Sequence, residues 1–238
     1  MARIVKEHGV RKNEILDVAY ALIYSRGYEQ TTVEAIIRET AIAKGTFYHY
    51  FKSKLDLLDS LVERMTDRMV EAGEEVIRSD LDAIQKFRRL FEVGGAIKFE
   101  HREMLIPALR YLVSDENLVA RNRTMRRMIE KLKHVYTDII RQGVSEGVFD
   151  TPYVDDAVEL ILGLWSVLGD VSARLLFDLA GKPGNMDLLK HKLRMYENAA
   201  ERILGAREGS LKLYDWELID DFASYMMKER EAANDTNG

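Results

Sequence analysis

The chain contains no cysteine. That excludes disulfides and thiolate-bound metal centres and fits a reducing compartment. Proline is scarce, three among 238 residues, so long helices can run with few interruptions. No alternation of apolar and polar residues persists, whereas apolar residues recur at helical spacing along most of the chain. The longest apolar run, LILGLWSVLG at 160–169, includes a serine and is too short to span a bilayer. The start, MARIVKEHGV, is charged and lacks the apolar core of a secretion signal. These absences predict a soluble, cytoplasmic, all-α protein with no membrane partner.

Reaction chemistry is missing as well. The five histidines are scattered, with no i, i+4 pair among carboxylates, so neither a metal site nor a cofactor is expected. Gly181-Lys182-Pro183-Gly184 lacks the spacing and following helix of a phosphate loop. No nucleophile stands in a recognisable motif. An enzyme is not predicted.

The net charge of −5 argues against a nucleic-acid partner. Its distribution reverses that reading. Residues 1–55 hold nine Lys/Arg against six Asp/Glu, a balance of +3, while the remainder holds 26 against 34, a balance of −8. A basic head on an acidic body concentrates phosphate attraction at one end. Arg3, Lys6, Arg11 and Lys12 form a basic start. It suits a DNA backbone or a minor groove, but such a start is more often a solvated tail.

The densest signal lies in residues 31–51, TTVEAIIRETAIAKGTFYHYF. Two short helices joined by a tight turn are expected. Thr31 with Glu34 reads as a capping box for the first helix. Thr32 then takes the first helical position, beside unpaired N–H groups that suit a phosphate. In the second helix Gly45 permits close approach to a sugar–phosphate strand, and Lys44 can meet a phosphate or a guanine edge. Thr46 offers a hydroxyl and a methyl to a base edge, and Tyr48 and His49 can donate to phosphates. Phe47 and Phe51 share one face and should anchor the helix; Tyr50 fits either the core or DNA. Ser53 with Asp56 opens the next helix, and Lys54 in its first turn would be favoured by a nearby phosphate.

These residues, with Gly27-Tyr28, Val33 and Ile36, resemble the DNA-binding domain of the TetR (tetracycline-repressor-like) family over residues 11–58. The resemblance implies a three-helix helix-turn-helix head on a larger helical ligand-binding and dimerisation body. It also implies repression of transcription, relieved when a small molecule binds. Two departures stand out. Where the family often has Gly-Val-Ser in the turn, this chain has Ala41-Ile42-Ala43. A positive φ at Ala41 would cost roughly 1 kcal/mol that glycine would not, and Ala43 has no side chain to cap with, a loss on the order of 1 kcal/mol.

The division expected is a DNA-binding head at 1–53, a body at 54–231 and a disordered tail at 232–238. Predicted helices span 11–26, 32–39, 44–50, 54–77, 81–100, 104–112, 115–146, 153–180, 187–204 and 213–230. Pro107 should fall in an interrupted segment, and Pro152 in the first turn of a helix. Residues 142–149, QGVSEGVF, resemble a turn common in the family's bodies. Helix 54–77 carries the stripe Leu57, Leu58, Leu61, Val62, Met65 and Met69 and links head to body. Helix 153–180 is apolar all round. The economical arrangement buries one side in its own body and one against a second copy. Ile161, Trp165, Leu168 and Leu175, with Leu193 and Tyr196 of the next helix, are the expected interface of a homodimer.

A pocket would be lined by Met and aromatic side chains with a few polar groups. The candidates are Phe91, Phe99, Arg110, Met125, Met128, Leu132, His134, Trp165 and Asp170. The reading is a ligand-responsive regulator, a repressor that leaves a palindromic operator in double-stranded DNA when a largely apolar small molecule binds. The alternative is a helical small-molecule binding or enzymatic protein without DNA function.

Overall fold

The structure, a computed structural model, describes residues 8–113 and 117–235. Arg3, Lys6 and residues 236–238 of the expected tail lie outside them. Among the described residues there are ten helices and no strand. In order they are α1 (His8–Arg26), α2 (Val33–Glu39), α3 (Lys44–Tyr50), α4 (Lys54–Arg78), α5 (Ala83–Glu100), α6 (Arg102–Leu112), α7 (Leu118–Ser145), α8 (Val154–Phe177), α9 (Asn185–Leu204) and α10 (Trp216–Asp235). All ten expected helices form. α10 runs to Asp235, into the stretch expected to be disordered, because Glu231-Ala232-Ala233 are strong helix formers.

The chain divides into two compact units. One comprises residues 1–65 and 101–111, the other residues 66–100 and 112–238. The first holds α1 to α3, the start of α4 and nearly all of α6. Its core is Ile15, Ala19, Ile23, Ile36, Phe47, Phe51, Leu57, Leu58 and Leu61, all buried. Gly27 ends α1 at φ 82, with its N–H bonded to the Ile23 carbonyl at 2.8 Å. His101 joins this unit through Tyr20, whose hydroxyl lies 2.7 Å from its Nδ1. Pro107 lies inside α6 and does not interrupt it. Arg11 and Lys12 belong to the opening turns of α1, where Arg11 pairs with Glu14 at 2.9 Å. Neither is part of a free arm.

The second unit is an antiparallel helical body. α5 pairs with α7 through Lys86, whose ammonium donates to Gln142 Oε1 at 2.8 Å and to the Ile77 carbonyl at 2.7 Å. α7 pairs with α8 through Arg121–Asp170 at 2.9 Å and Lys133–Glu159 at 2.6 Å. α7 ends at Gly147, and Phe149 folds back over Gly143 so closely that a Cβ there would sit 2.1 Å from its ring. Pro152 precedes α8; Tyr153 is the cap residue and α8 starts at Val154.

α8 is more apolar than its 160–169 run suggests. By length and composition it is apolar enough to cross a membrane, with a mean hydropathy of 1.6 over its best window. The 160–169 run understated it because the flanking turns are apolar too. Here α8 packs on α7 and α9, with Ile161 and Leu162 fully buried.

The connection from α9 to α10 is held by charge. The buried Glu201 carboxylate accepts the N–H groups of Gly209 and Leu211 at 2.9 and 3.0 Å. Glu197 accepts that of Leu213 at 2.6 Å. Arg88 of α5 donates to the carbonyls of Leu211 and Ser210 at 3.1 and 3.3 Å. Nothing local in the sequence signals this strap, since its partners lie as far away as α5.

Candidate nucleic-acid interface

α3 is a helix with two opposed faces. Phe47 and Phe51 are buried at 0% and 1% exposure, their rings 5.6 Å apart. Lys44, Gly45, Tyr48 and His49 are exposed and Thr46 is half-buried. Lys44 Nζ lies 5.9 Å from the Tyr48 ring centroid. A Cβ built on Gly45 would meet nothing within 4 Å. Packing inside the protein therefore does not demand glycine there, and what the missing side chain provides is room on the outer face. Tyr50 is half-buried between His49 and Phe51.

The turn before α3 carries the strain the sequence suggested. The N–H of Ala41 bonds to the Arg38 carbonyl and that of Ile42 to the Ile37 carbonyl, both at 3.2 Å. This is a Schellman ending, in which the residue after the cap must be left-handed. That residue is Ala41, at φ 51. Ala43 is the cap of α3 and makes no side-chain hydrogen bond.

Three local expectations are corrected. Thr32, not Thr31, caps α2, accepting from the Ala35 N–H at 3.1 Å. Thr31 is buried and its hydroxyl donates to the Gly27 carbonyl at 2.8 Å. The expected capping box does not form, because Thr31 closes the α1–α2 turn and the residue three after Thr32 is Ala35. At α4, Ser53 Oγ accepts the Asp56 N–H at 3.1 Å, while Asp56 reaches back to the N–H of Lys52 at 2.8 Å. Lys54 turns inward to the unit. Its ammonium lies 3.9 Å from the Tyr28 ring centroid and 3.4 Å from the Glu29 carbonyl oxygen. Partial burial lowers its pKa, and Glu29 acts against that. Burial, with Glu29 next, pushes the Tyr28 phenol up to about 12. The sequence reading missed Tyr28 as the platform for Lys54; twenty-six residues separate them.

The expected ligand residues scatter. Phe91 sits in a body cluster with Phe87, Tyr196 and Tyr214, at centroid distances of 5.8, 6.1 and 5.8 Å. Phe99 lies against Phe222 at 6.3 Å. Leu132 is buried, and Met125, Met128 and Trp165 are half-buried. Arg110 is exposed on α6, in the other unit. His134 is exposed and faces Glu74 at 3.6 Å, so it is a surface residue. Asp170 is engaged by Arg121 at 2.9 Å and by Arg174 at 3.6 Å, so its charge is already met.

The expected dimer residues also divide. Ile161, Leu193 and Tyr196 are buried within the protomer, and the Tyr196 hydroxyl donates to the Ile161 carbonyl at 3.2 Å. They form the α8–α9 seam and offer nothing to a second copy. Trp165, Leu168 and Leu175 are half-buried. The apolar side chains left outside are Leu160 (58% exposed), Leu164 (38%) and Val167 (63%) on α8, with Leu188 and Met195 on α9. Helical phase explains the error: in an apolar helix the inward and outward stripes have the same composition, and only packing tells them apart.

A short helix with an exposed basic and hydroxyl-bearing face, set by a strained turn on a capped helix, defines a helix-turn-helix DNA-binding protein. Comparison with known proteins agrees at both ends of the chain. The family model described as "Bacterial regulatory proteins, tetR family" matches residues 15–61, and "Tetracyclin repressor-like, C-terminal domain" matches residues 108–176. The chain belongs to the TetR family of transcriptional regulators. It is 27% identical over 155 residues to the transcriptional repressor KstR2 of Mycobacterium tuberculosis, covering 63% of this chain and 74% of that one. It is 26% identical over 144 residues to the fatty acid metabolism regulator protein of Bacillus subtilis, covering 60% and 71%. Among solved structures, Thermus thermophilus FadR, a TetR-family repressor in complex with lauroyl-CoA, superposes with a TM-score of 0.56 at 19% identity, covering 79% of this chain and 93% of that one. A TetR-family regulator of Syntrophomonas wolfei gives 0.53 at 20% identity, covering 82% and 96%. At such identities these two show the fold.

Proposed function

We propose that this regulator is a cytoplasmic repressor that holds a palindromic operator as a homodimer and leaves it when a largely apolar small molecule enters the body. Residues 1–53 are the DNA-binding part and residues 54–231 the ligand-binding and dimerising part. No catalytic role is assigned. The observation that carries the DNA half is the outer face of α3. Lys44, Gly45, Tyr48 and His49 are exposed together, and Gly45 leaves space that nothing inside the protein needs. Thr46 stands at the edge of that face, with Thr32 and Lys54 behind it at the starts of α2 and α4. The repressor relatives support the sign of regulation, and the lauroyl-CoA complex of the Thermus protein supports an effector with a long apolar part.

The dimer half rests on Leu160, Leu164 and Val167, a row of exposed apolar side chains on α8. A second copy of the same row would bury them across a two-fold axis. A two-fold protein then reads two half-sites. α4 runs from one unit into the other, and its stripe from Leu57 to Met69 is buried throughout. It is the element through which body and head are coupled. Linkage requires the operator to weaken effector binding by the factor with which effector weakens operator binding.

The test is fluorescence anisotropy with operator fragments selected from genomic DNA, over a salt series. Lys44→Ala should weaken binding about tenfold and reduce the salt slope by about one. Tyr48→Ala should weaken it with the melting temperature unchanged. If both variants bind as the parent does, α3 is not the reading helix.

A further inference from the structure

Lys98 of α5 is the most unusual cation in the body. Its ammonium lies 4.9 Å from the centroid of the Trp165 ring on α8. Among the described residues, that aromatic face is its one interaction; no carboxylate or hydrogen-bond acceptor meets it. Burial alone pushes its pKa down to about 8. The residue nevertheless keeps some accessible surface. An ammonium held this way is costly unless an anion answers it, because its hydration has been removed without an opposite charge in return.

The helix register places further polar groups along the same stretch of the body, within about two turns of Trp165. Lys86–Gln142 and the Ala83 N–H on Glu146 Oε2 at 2.9 Å fix α5 antiparallel to α7. At equal rise per residue, Lys98 falls beside Glu130 and Lys131 of α7. Arg121–Asp170 and Lys133–Glu159 fix α7 against α8 and bring Trp165 beside Arg126 and Arg127, about one turn away. Thr124 lies one turn before Met128 on α7. Ser172 lies two turns beyond Trp165 on the same α8 face. Both hydroxyl oxygens are buried and neither has a hydrogen-bond partner. An uncompensated cation and two idle buried hydroxyls thus lie within about two turns of one indole.

We propose that Lys98, with Trp165 beneath it, is an oxyanion subsite of the effector pocket, so that the effector is an aliphatic molecule carrying a carboxylate or phosphate. This rests on the reading of the body as the effector-binding part. Lys98 supplies the charge and Trp165 holds the ammonium in place through its ring face, while Thr124 and Ser172 stand farther along the helices for other polar groups of the same effector. A neutral hydrocarbon would fill the apolar part of the pocket and leave the ammonium unanswered. Specificity then lies in what is left unpaired as well as in what is paired.

The experiment uses the whole protein in a Trp216→Phe background, so that Trp165 is the single indole. Three probes are titrated by fluorescence and calorimetry: sodium dodecanoate, lauroyl-CoA and dodecanol. At least one anionic probe should bind about tenfold or more tighter than dodecanol and shift the Trp165 emission. Lys98→Met should abolish that preference while leaving dodecanol affinity within about twofold, and Lys98→Arg should retain much of it. Loss of dodecanoate preference assigns a carboxylate; loss of lauroyl-CoA preference alone assigns a phosphate. Anionic probes that bind the parent and Lys98→Met equally well overturn the subsite and leave the effector reading standing. Failure of all three to bind the parent overturns both. A circular-dichroism melt of Lys98→Met at or above the parent's temperature shows that lost affinity is not lost folding.

Discussion

α3 and α8 both leave one face to the outside, and the two faces are opposites. α3 exposes Lys44, Tyr48 and His49 over buried Phe47 and Phe51. α8 exposes Leu160, Leu164 and Val167 and buries Ile161 and Leu162. Water accepts the first face as it stands, and a row of phosphates improves on it. Water tolerates the second poorly, and an identical apolar row is what it fits. The contrast teaches that an exposed face names its partner through the hydrogen bonds it can or cannot make.

The largest effect should come from breaking the apolar side. Leu164→Glu sets a charge in the middle of the proposed α8 contact and should weaken dimerisation by at least a hundredfold, on the order of 3 kcal/mol. Sedimentation velocity at micromolar protein reads it directly. A parent that sediments as a monomer, or a variant that stays dimeric, removes α8 from the contact.

Next is the interior of the body, where polar groups are kept at a cost. Lys98→Met should stabilise the protein at pH 7 by about 1–3 kcal/mol, since burial holds the Lys98 pKa near 8, below the ordinary lysine value of 10.5. The sign follows from the proton count. Between those two values the unfolded chain binds the proton and the folded chain does not, so parent stability rises with pH across the window. The advantage of the methionine variant should therefore be full below pH 8 and fade as pH approaches 10.5. Urea melts of both proteins at pH 7 and pH 10 test it; an advantage equal at both, or absent at both, contradicts the account.

The smallest effect concerns the head. Three helices end in the same Schellman pattern. α7 and α9 place Gly147 and Gly205 at the left-handed position, and α2 places Ala41 there. Ala41→Gly relieves about 1 kcal/mol of strain but gives the unfolded chain more freedom, so the net gain should be about 0.5 kcal/mol. A calorimetric melt resolves a rise of a few degrees. A lower melting temperature would show that the turn is not strained by its Cβ.

The sequence by itself determined the ten helices, the exposed polar face of α3, the buried pair Phe47 and Phe51, and the strain at Ala41. Each of these depends on neighbours a few residues away: caps, helical spacing, a positive φ where glycine is expected. The tertiary structure alone decided which stripe of α8 faces inward, since Ile161 and Leu164 are equally apolar and only the seam with α9 separates them. It decided that Lys54 leans on Tyr28, that Asp170 is spoken for by Arg121, and that Glu201 and Arg88 hold the strap before α10. It also decided that Lys98 stands over Trp165 with no anion among the described residues to meet it. Such facts depend on which charges and faces distant helices bring together, and a linear pattern carries no record of that distance.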